Sequence, residues 1–120
     1  MQNMSFFLTT EAYLNGSKDV TRRNGWKNIQ VGKSYMAVLK GQGLKKGDKI
    51  TYLGEFQVIS HRWERLDRMI IDRVYGLEEV KREGFPDKSP EWFVEMFCKS
   101  HKGCTPESLV HRIEFRKVKS

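Results

Sequence analysis

Long apolar runs are missing from this chain: no stretch approaches the roughly 20 residues needed to cross a bilayer, so no membrane-spanning helix is expected. The opening Met1-Gln2-Asn3-Met4 carries neither the basic flank nor the apolar run of a secretory signal, and the expected location is cytoplasmic. Cysteine is scarce. The 2 cysteines, Cys98 and Cys104, are too few for a disulfide framework and are read as free thiols. Internal repeats and low-complexity linkers are also lacking, and 120 residues suit one domain, read here as 1–120. Acidic residues are the minority charge: 15 Asp and Glu against 22 Lys and Arg leave a formal charge of +7, which favours an anionic partner, nucleic acid first.

What the chain does contain is enough apolar matter to fold. A hydrophobic fraction of 38% with 12% aromatics excludes a disordered chain, while 31% charged residues make its surface strongly ionic. Ser5-Phe6-Phe7-Leu8 leads into Thr9-Thr10-Glu11, a threonine-then-acid signal that opens a short helix, and Asn15-Gly16 stops it. Lys18 to Arg23 reads as a loop entering a strand, ended by the Asn24-Gly25 turn. Strands are expected at Tyr35 to Leu39, Lys49 to Leu53 and Glu55 to His61, separated by Gly41-Gln42-Gly43, by Lys46-Gly47-Asp48 and by Gly54. In the third, Phe56, Val58 and Ser60 share the inward face. Leu66 to Val80 has apolar residues at spacings of three and four, expected as one or two helices broken near Tyr75-Gly76. Ser89-Pro90-Glu91 begins another helix, running to Lys99, with Trp92, Phe93, Met96 and Phe97 as a core stripe. Leu109 to Val118 alternates as a long closing strand. Five or six short strands at this spacing predict an α+β fold built on a small, closed or nearly closed barrel.

Two clusters hold the residue types that do chemistry. Gly16-Ser17-Lys18-Asp19-Val20-Thr21-Arg22-Arg23 gathers a hydroxyl, an amine and two guanidinium groups, which suit a phosphate or a polar base edge. Arg23 shares the face of Thr21 and Arg22 does not; Lys18 joins them only if the strand is entered irregularly at Ser17-Lys18. A basic edge strand that blocks edge pairing accounts for the same residues equally well. The second cluster, Cys98, His101, Cys104 and His111, lacks the spacing of a zinc finger, so no metal and no other cofactor is expected. His61 is read as structural. Trp26, in an expected loop beside Arg23 and Lys27, is a candidate stacking platform for a base, whereas Trp63 is read as core.

The order of these motifs resembles a known family. Gly16-x-Lys18-x-x-Thr21-x-Arg23 after a short helix, a Gly47-Asp48 turn, Glu83-Gly84-Phe85 before a helix, and a closing Arg112-Ile113-Glu114-Phe115 strand together look like an ASCH domain, over about Ser5 to Val118. The resemblance implies a PUA-like β-barrel of five to six strands with rim helices, and a basic cleft for RNA or a nucleoside or nucleotide. Some small members hydrolyse the amide of N4-acetylcytidine with a Lys, a Thr and a Glu, which by motif fall on Lys18, Thr21 and Glu83; Glu78 and Glu79 lie close to the last. Arg22, Arg23 and Trp26 are then the ligand-binding candidates, although Arg22 stands where an apolar residue is usual. A ribonuclease or a non-catalytic interaction domain are the further alternatives.

Overall fold

Side-chain caps open the two longest helices. In the computed structural model, which describes residues 1–41 and 45–119, the order is β1 (Asn3–Ser5), a 3₁₀ turn (Phe7–Thr9), α1 (Thr10–Leu14), β2 (Val20–Arg23), β3 (Ser34–Val38), β4 (Tyr52–Arg65), α2 (Arg68–Ile71), α3 (Arg73–Arg82), α4 (Pro90–Lys99) and β5 (Leu109–Lys117). Gln42 and Gly43 of the expected turn lie outside the described residues. Ser89 caps α4 by accepting the Trp92 N–H at 3.0 Å, with Pro90 in the first helical position where its missing N–H costs nothing. Thr9 stands at the start of α1 but makes no side-chain cap; Thr10 instead donates its hydroxyl to the Phe6 carbonyl at 2.9 Å. No helix among the described residues is long and apolar enough to cross a membrane.

The five strands pair in the order β1-β3-β4-β5-β2, with β1 parallel to β3 and the other neighbours antiparallel. The expected barrel is not closed. Its edge strands, β1 and β2, have only three and four residues and share no ladder. Where pairing would continue, the Arg23 guanidinium donates to the Ser5 carbonyl at 2.7 Å, so one side chain bridges the seam. Of the strand expected at Lys49 to Leu53 only Tyr52 and Leu53 are in a strand, and they run unbroken into the one expected at Glu55 to His61 as β4; Gly54 sits inside it at φ 137°, its carbonyl accepting the Tyr13 hydroxyl at 3.0 Å.

Ile59 is an extra residue in β4. Val58 pairs with Phe115 and Ser60 with Glu114, so the ladder slips by one and the faces exchange. Phe56 and Val58 point into an aromatic core with Phe6, Tyr13, Tyr35, Ile113 and Phe115. Beyond the bulge, His61 and Trp63 take over that face, and Ser60 turns away to donate to Glu114, contrary to the plain alternation expected. On the opposite face α2, α3 and α4 enclose a second core containing Met69, Val80, Phe93, Val94, Phe97 and Val110, against which Trp92 and Met96 are only partly buried.

The helical break falls at Asp72 and not at Tyr75-Gly76. Asp72 leaves the helical conformation and caps α3, its carboxylate accepting the Tyr75 N–H at 3.2 Å. Gly76 has another role: a Cβ there would overlap the Met69 carbonyl, so only glycine lets α3 pass this close to α2. Gly76→Ala is expected to cost about 3 kcal/mol, the upper range for overpacking. Gly25→Ala, with open space around it, serves as the control and should stay within about 0.5 kcal/mol. Urea midpoints of the two variants at unchanged m-value check this.

Candidate functional site

The Lys18 segment is pinned from two sides before β2 begins. Lys18 N donates to Ala12 O at 3.0 Å and Asp19 N to Arg82 O at 3.1 Å, which ties the loop to the middle of α1 and the end of α3. This entry is irregular, and it turns the Lys18 side chain under the end of α3. There Nζ donates to the Glu83 carbonyl at 2.6 Å and to its carboxylate Oε1 at 3.0 Å. Glu83 is the last residue before Gly84, which has φ 105° and whose added Cβ would stand 2.8 Å from Ala12 Cβ. Glycine at 84 therefore satisfies both a left-handed turn and a close approach, and the helix end carrying Glu83 rests directly on α1.

Beneath this pair lies an ionic network between the sheet and α3. Arg22 gives Nη1 to Glu83 Oε2 at 2.9 Å and Nη2 to Glu79 Oε1 at 2.7 Å and Glu64 Oε2 at 3.1 Å. Arg112, its neighbour across the ladder, binds both oxygens of Glu79. Three buried cations, Lys18, Arg22 and Arg112, thus face three buried carboxylates, Glu64, Glu79 and Glu83. Burial alone would raise the Glu79 carboxyl, but hydrogen bonds from Arg112 and the charge of Arg22 hold it down at about 2. Glu64 is likewise kept low, against burial, by Arg22, Arg62 and Tyr75.

On the other face of β2, Thr21 and Arg23 look toward the seam. Arg23 Nε donates to Thr21 Oγ1 at 3.0 Å, and its guanidinium lies 5.0 Å from the Phe6 ring centre. No carboxylate pairs with Arg23 among the described residues. Burial pushes it down to about 10, still charged at neutral pH. Lys18 is also pushed down, first by burial and then by Arg23 and Arg22, with Glu83 resisting. Glu83 divides one negative charge between Lys18 and Arg22 while Arg23 stands beside them. Arg23 thus adds a positive charge that no carboxylate offsets among the described residues.

Lys18, Thr21, Arg22, Arg23 and Glu83 all line one cavity of about 240 Å³, roofed by Phe6, Phe7, Phe85, Phe93, Met96 and Phe97. Larger hollows of about 430 and 470 Å³ occur beside α4 and beside β5, but no buried charged group lines them. Of the neighbouring acids, Glu78 is exposed and Glu79 belongs to the network below, which leaves Glu83 at the cavity. Both Nη groups of Arg22 are committed to three carboxylates and hold Glu83 in place, while its buried Nε has no partner among the described residues.

Trp26 does not line the cavity. Its backbone has φ 65° and its ring packs edge-on against Tyr35, 5.9 Å away, closing one end of the aromatic core. The four soft ligands fall apart into two places. Cys98 and Cys104 are free thiols in contact at 2.8 Å beside the helical core, while His111 lies in the sheet between Gly25 O and His61 under the Trp63 ring. Trp63 itself is 43% exposed, not core. The aromatic roof escapes the sequence reading, although Phe93 and Phe97 stand four residues apart on one side of α4 and His101 follows at the same spacing just past its end.

No family model matches the chain, and no curated protein is similar to it. Solved structures are similar in fold. The hypothetical protein PH0355 superposes with a TM-score of 0.63 at 16% identity, covering 98% of this chain and 96% of its own. An ASCH domain from Lactobacillus crispatus JV V101 gives 0.60 at 14% identity, over 97% of this chain and 78% of its own. Protein EF3133 of Enterococcus faecalis V583, a DUF984 protein, gives 0.58 at 13% identity, over 92% and 70%. The chain has the fold of an ASCH domain.

The shared carboxylate makes the site asymmetric. Glu83→Leu strands the buried Lys18 ammonium and takes one of three carboxylates from Arg22, and should cost about 3–5 kcal/mol, whereas Lys18→Met leaves Glu83 paired with Arg22 and should cost under about 1.5 kcal/mol. Denaturant unfolding of both variants compares them. Because the folded Glu79 carboxyl lies near 2 against an ordinary 4.5, the stability it contributes is present above about pH 4.5 and is lost as pH falls toward 2. The thermal midpoint of the parent should fall steeply across that window, and that of Glu79→Gln should follow a shallower slope.

Proposed function

We propose that this chain is an ASCH-type domain that takes a single nucleoside or nucleotide, free or as one unit of an RNA, into the cavity above Lys18. The observation that carries the reading is the buried Lys18–Glu83 pair at the floor of an aromatic cavity of about 240 Å³. That volume is below the roughly 300–1,000 Å³ of drug-sized sites, so it suits one planar group rather than a stretch of strand. Phe85, Phe93 and Phe97 offer flat apolar surface for a base, and Lys18 and Arg23 offer donors and positive charge.

A specific feature favours a second reading, amide hydrolysis of an acylated nucleoside such as N4-acetylcytidine. Lys18 spends two N–H groups on the two Glu83 acceptors, and burial favours its neutral form. A neutral amine so held directs its lone pair away from Glu83, as a general base requires. Thr21 Oγ1 would lose its proton to Lys18 and bond to the acyl carbon. The C–N bond then breaks as Lys18 returns the proton to the departing amine, and water releases the acid from Thr21. Among the described residues the Thr21 hydroxyl bonds Arg23 and not Lys18, so the substrate complex has to bring the two together.

Calorimetry with cytidine and N4-acetylcytidine, and chromatography of the incubated mixtures, test both readings on the parent and on Lys18→Ala. Binding is expected to weaken at least tenfold in the variant, about 1.4 kcal/mol. Release of cytidine by the parent alone adds the amidase. A single-site ligand should also give a shallow salt dependence, near one phosphate or none, in contrast to the steep slope of a protein that tracks a strand. Neither binding nor turnover would sink the proposal and leave an interaction domain.

A further inference from the structure

The wall of the cavity opposite Lys18 is built by α4 and the turn after it. Phe97 is the last buried aromatic of the helix, and His101 follows one turn later, beyond the helix end at Ser100. The imidazole stacks on Phe97 with ring centres 4.1 Å apart and planes 21° from parallel. Its Nδ1 lies 2.8 Å from the Phe97 carbonyl oxygen. A carbonyl can only accept, so Nδ1 carries the proton, and in the neutral ring Nε2 is left with a bare lone pair. No group among the described residues bonds that nitrogen. The residue is also fixed through its backbone, His101 N donating to Cys98 O at 3.3 Å and His101 O accepting Cys104 N at 3.1 Å. The other polar side chain on this wall, Ser100, commits its hydroxyl proton to Met96 O at 2.9 Å.

The two sides of the cavity are therefore complementary in kind. Lys18 and Arg23 present donors, and His101 presents an acceptor. Resting on the nucleoside reading above, we infer that His101 is the specificity-determining acceptor of the site, taking a hydrogen bond at Nε2 from a donor group of the bound nucleoside. That donor is an exocyclic amine of the base or a ribose hydroxyl. A carbonyl oxygen at the same point would meet the lone pair and be rejected, since a polar mismatch in a closed site leaves both groups unpaired. Protonation of the ring turns Nε2 into a donor and cancels the preference. The other charged groups at the cavity are Lys18, Arg22, Arg23 and Glu83, and the thiols of Cys98 and Cys104 lie behind the His101 turn.

Calorimetric titration of cytidine, uridine and 2′-deoxycytidine into the parent, His101→Leu and His101→Gln, at about pH 7.5 and about pH 5.5, tests the assignment. Since a protonated imidazole has no acceptor, the parent should bind its preferred nucleoside about tenfold more weakly at the lower pH. His101→Leu should lose about tenfold at the higher pH and show no such drop. His101→Gln, whose amide oxygen accepts but does not titrate, should restore binding without the drop, and it carries the test if the Leu variant is unstable. A loss from cytidine to uridine identifies the amine as the donor, and a loss from cytidine to 2′-deoxycytidine identifies the hydroxyl. Equal affinity in parent and Leu variant, or an unchanged pH drop in both variants, overturns the role of His101 alone. Failure of the parent to bind all three nucleosides overturns the nucleoside reading, and this role with it.

Discussion

One carboxylate, that of Glu83, stands between two buried cations, and the rest of the site depends on how it is held. Its position follows from Gly84, which allows the end of α3 to rest on α1, and from Arg22, which grips it from below. Lys18 then has two acceptors in fixed places and can lie nowhere else. Buried ion pairs seldom add stability over apolar packing of the same shape. The value of this one lies in orientation: it keeps a long, flexible amine still at the bottom of an aromatic cavity, where an unpaired lysine would reach for water.

Strand β2 distributes its residues accordingly. Thr21 and Arg23 face the seam and the cavity, while Arg22 faces α3 and is consumed by Glu64, Glu79 and Glu83. The sheet thereby separates a working face from a supporting one. Arg112, on the adjacent strand β5, supports in the same way, bracing Glu79 so that Arg22 does not have to neutralise it alone.

Much of this was legible in the residues. The capping serine at 89, the glycine stop at 16 and the strand around Thr21 are local signals with local causes, and they mark the structure where they mark the sequence. The faces of Thr21, Arg22 and Arg23 followed from alternation. What depended on distant partners did not show. The role of Arg22 requires knowing that three carboxylates converge on it, from elements 42 to 61 residues away. Gly76 reads as a breaker in any one-dimensional pattern, and only the crossing at Met69 shows it as a close contact. Trp26 misleads because an aromatic in a loop looks free until the loop folds back onto Tyr35. Barrel closure failed for a related reason, since a side-chain bridge from Arg23 to Ser5 leaves no trace in strand spacing.

The bulge at Ile59 lets a single strand serve two interiors. Even-numbered residues before it, Phe56 and Val58, fill the aromatic core, and even-numbered residues after it, Glu64 and Leu66, serve the helical side. That one residue works as a phase change in the alternation of β4. Were Ile59 drawn into the ladder as an ordinary paired residue, every later residue would change face: Glu64 would swing from Arg22 into an apolar interior, and Trp63 would be driven among the ion pairs. The faces of β4 thus depend on one residue staying out of the ladder, so evolution can exchange side chains along this strand far more readily than it can add or delete a paired residue.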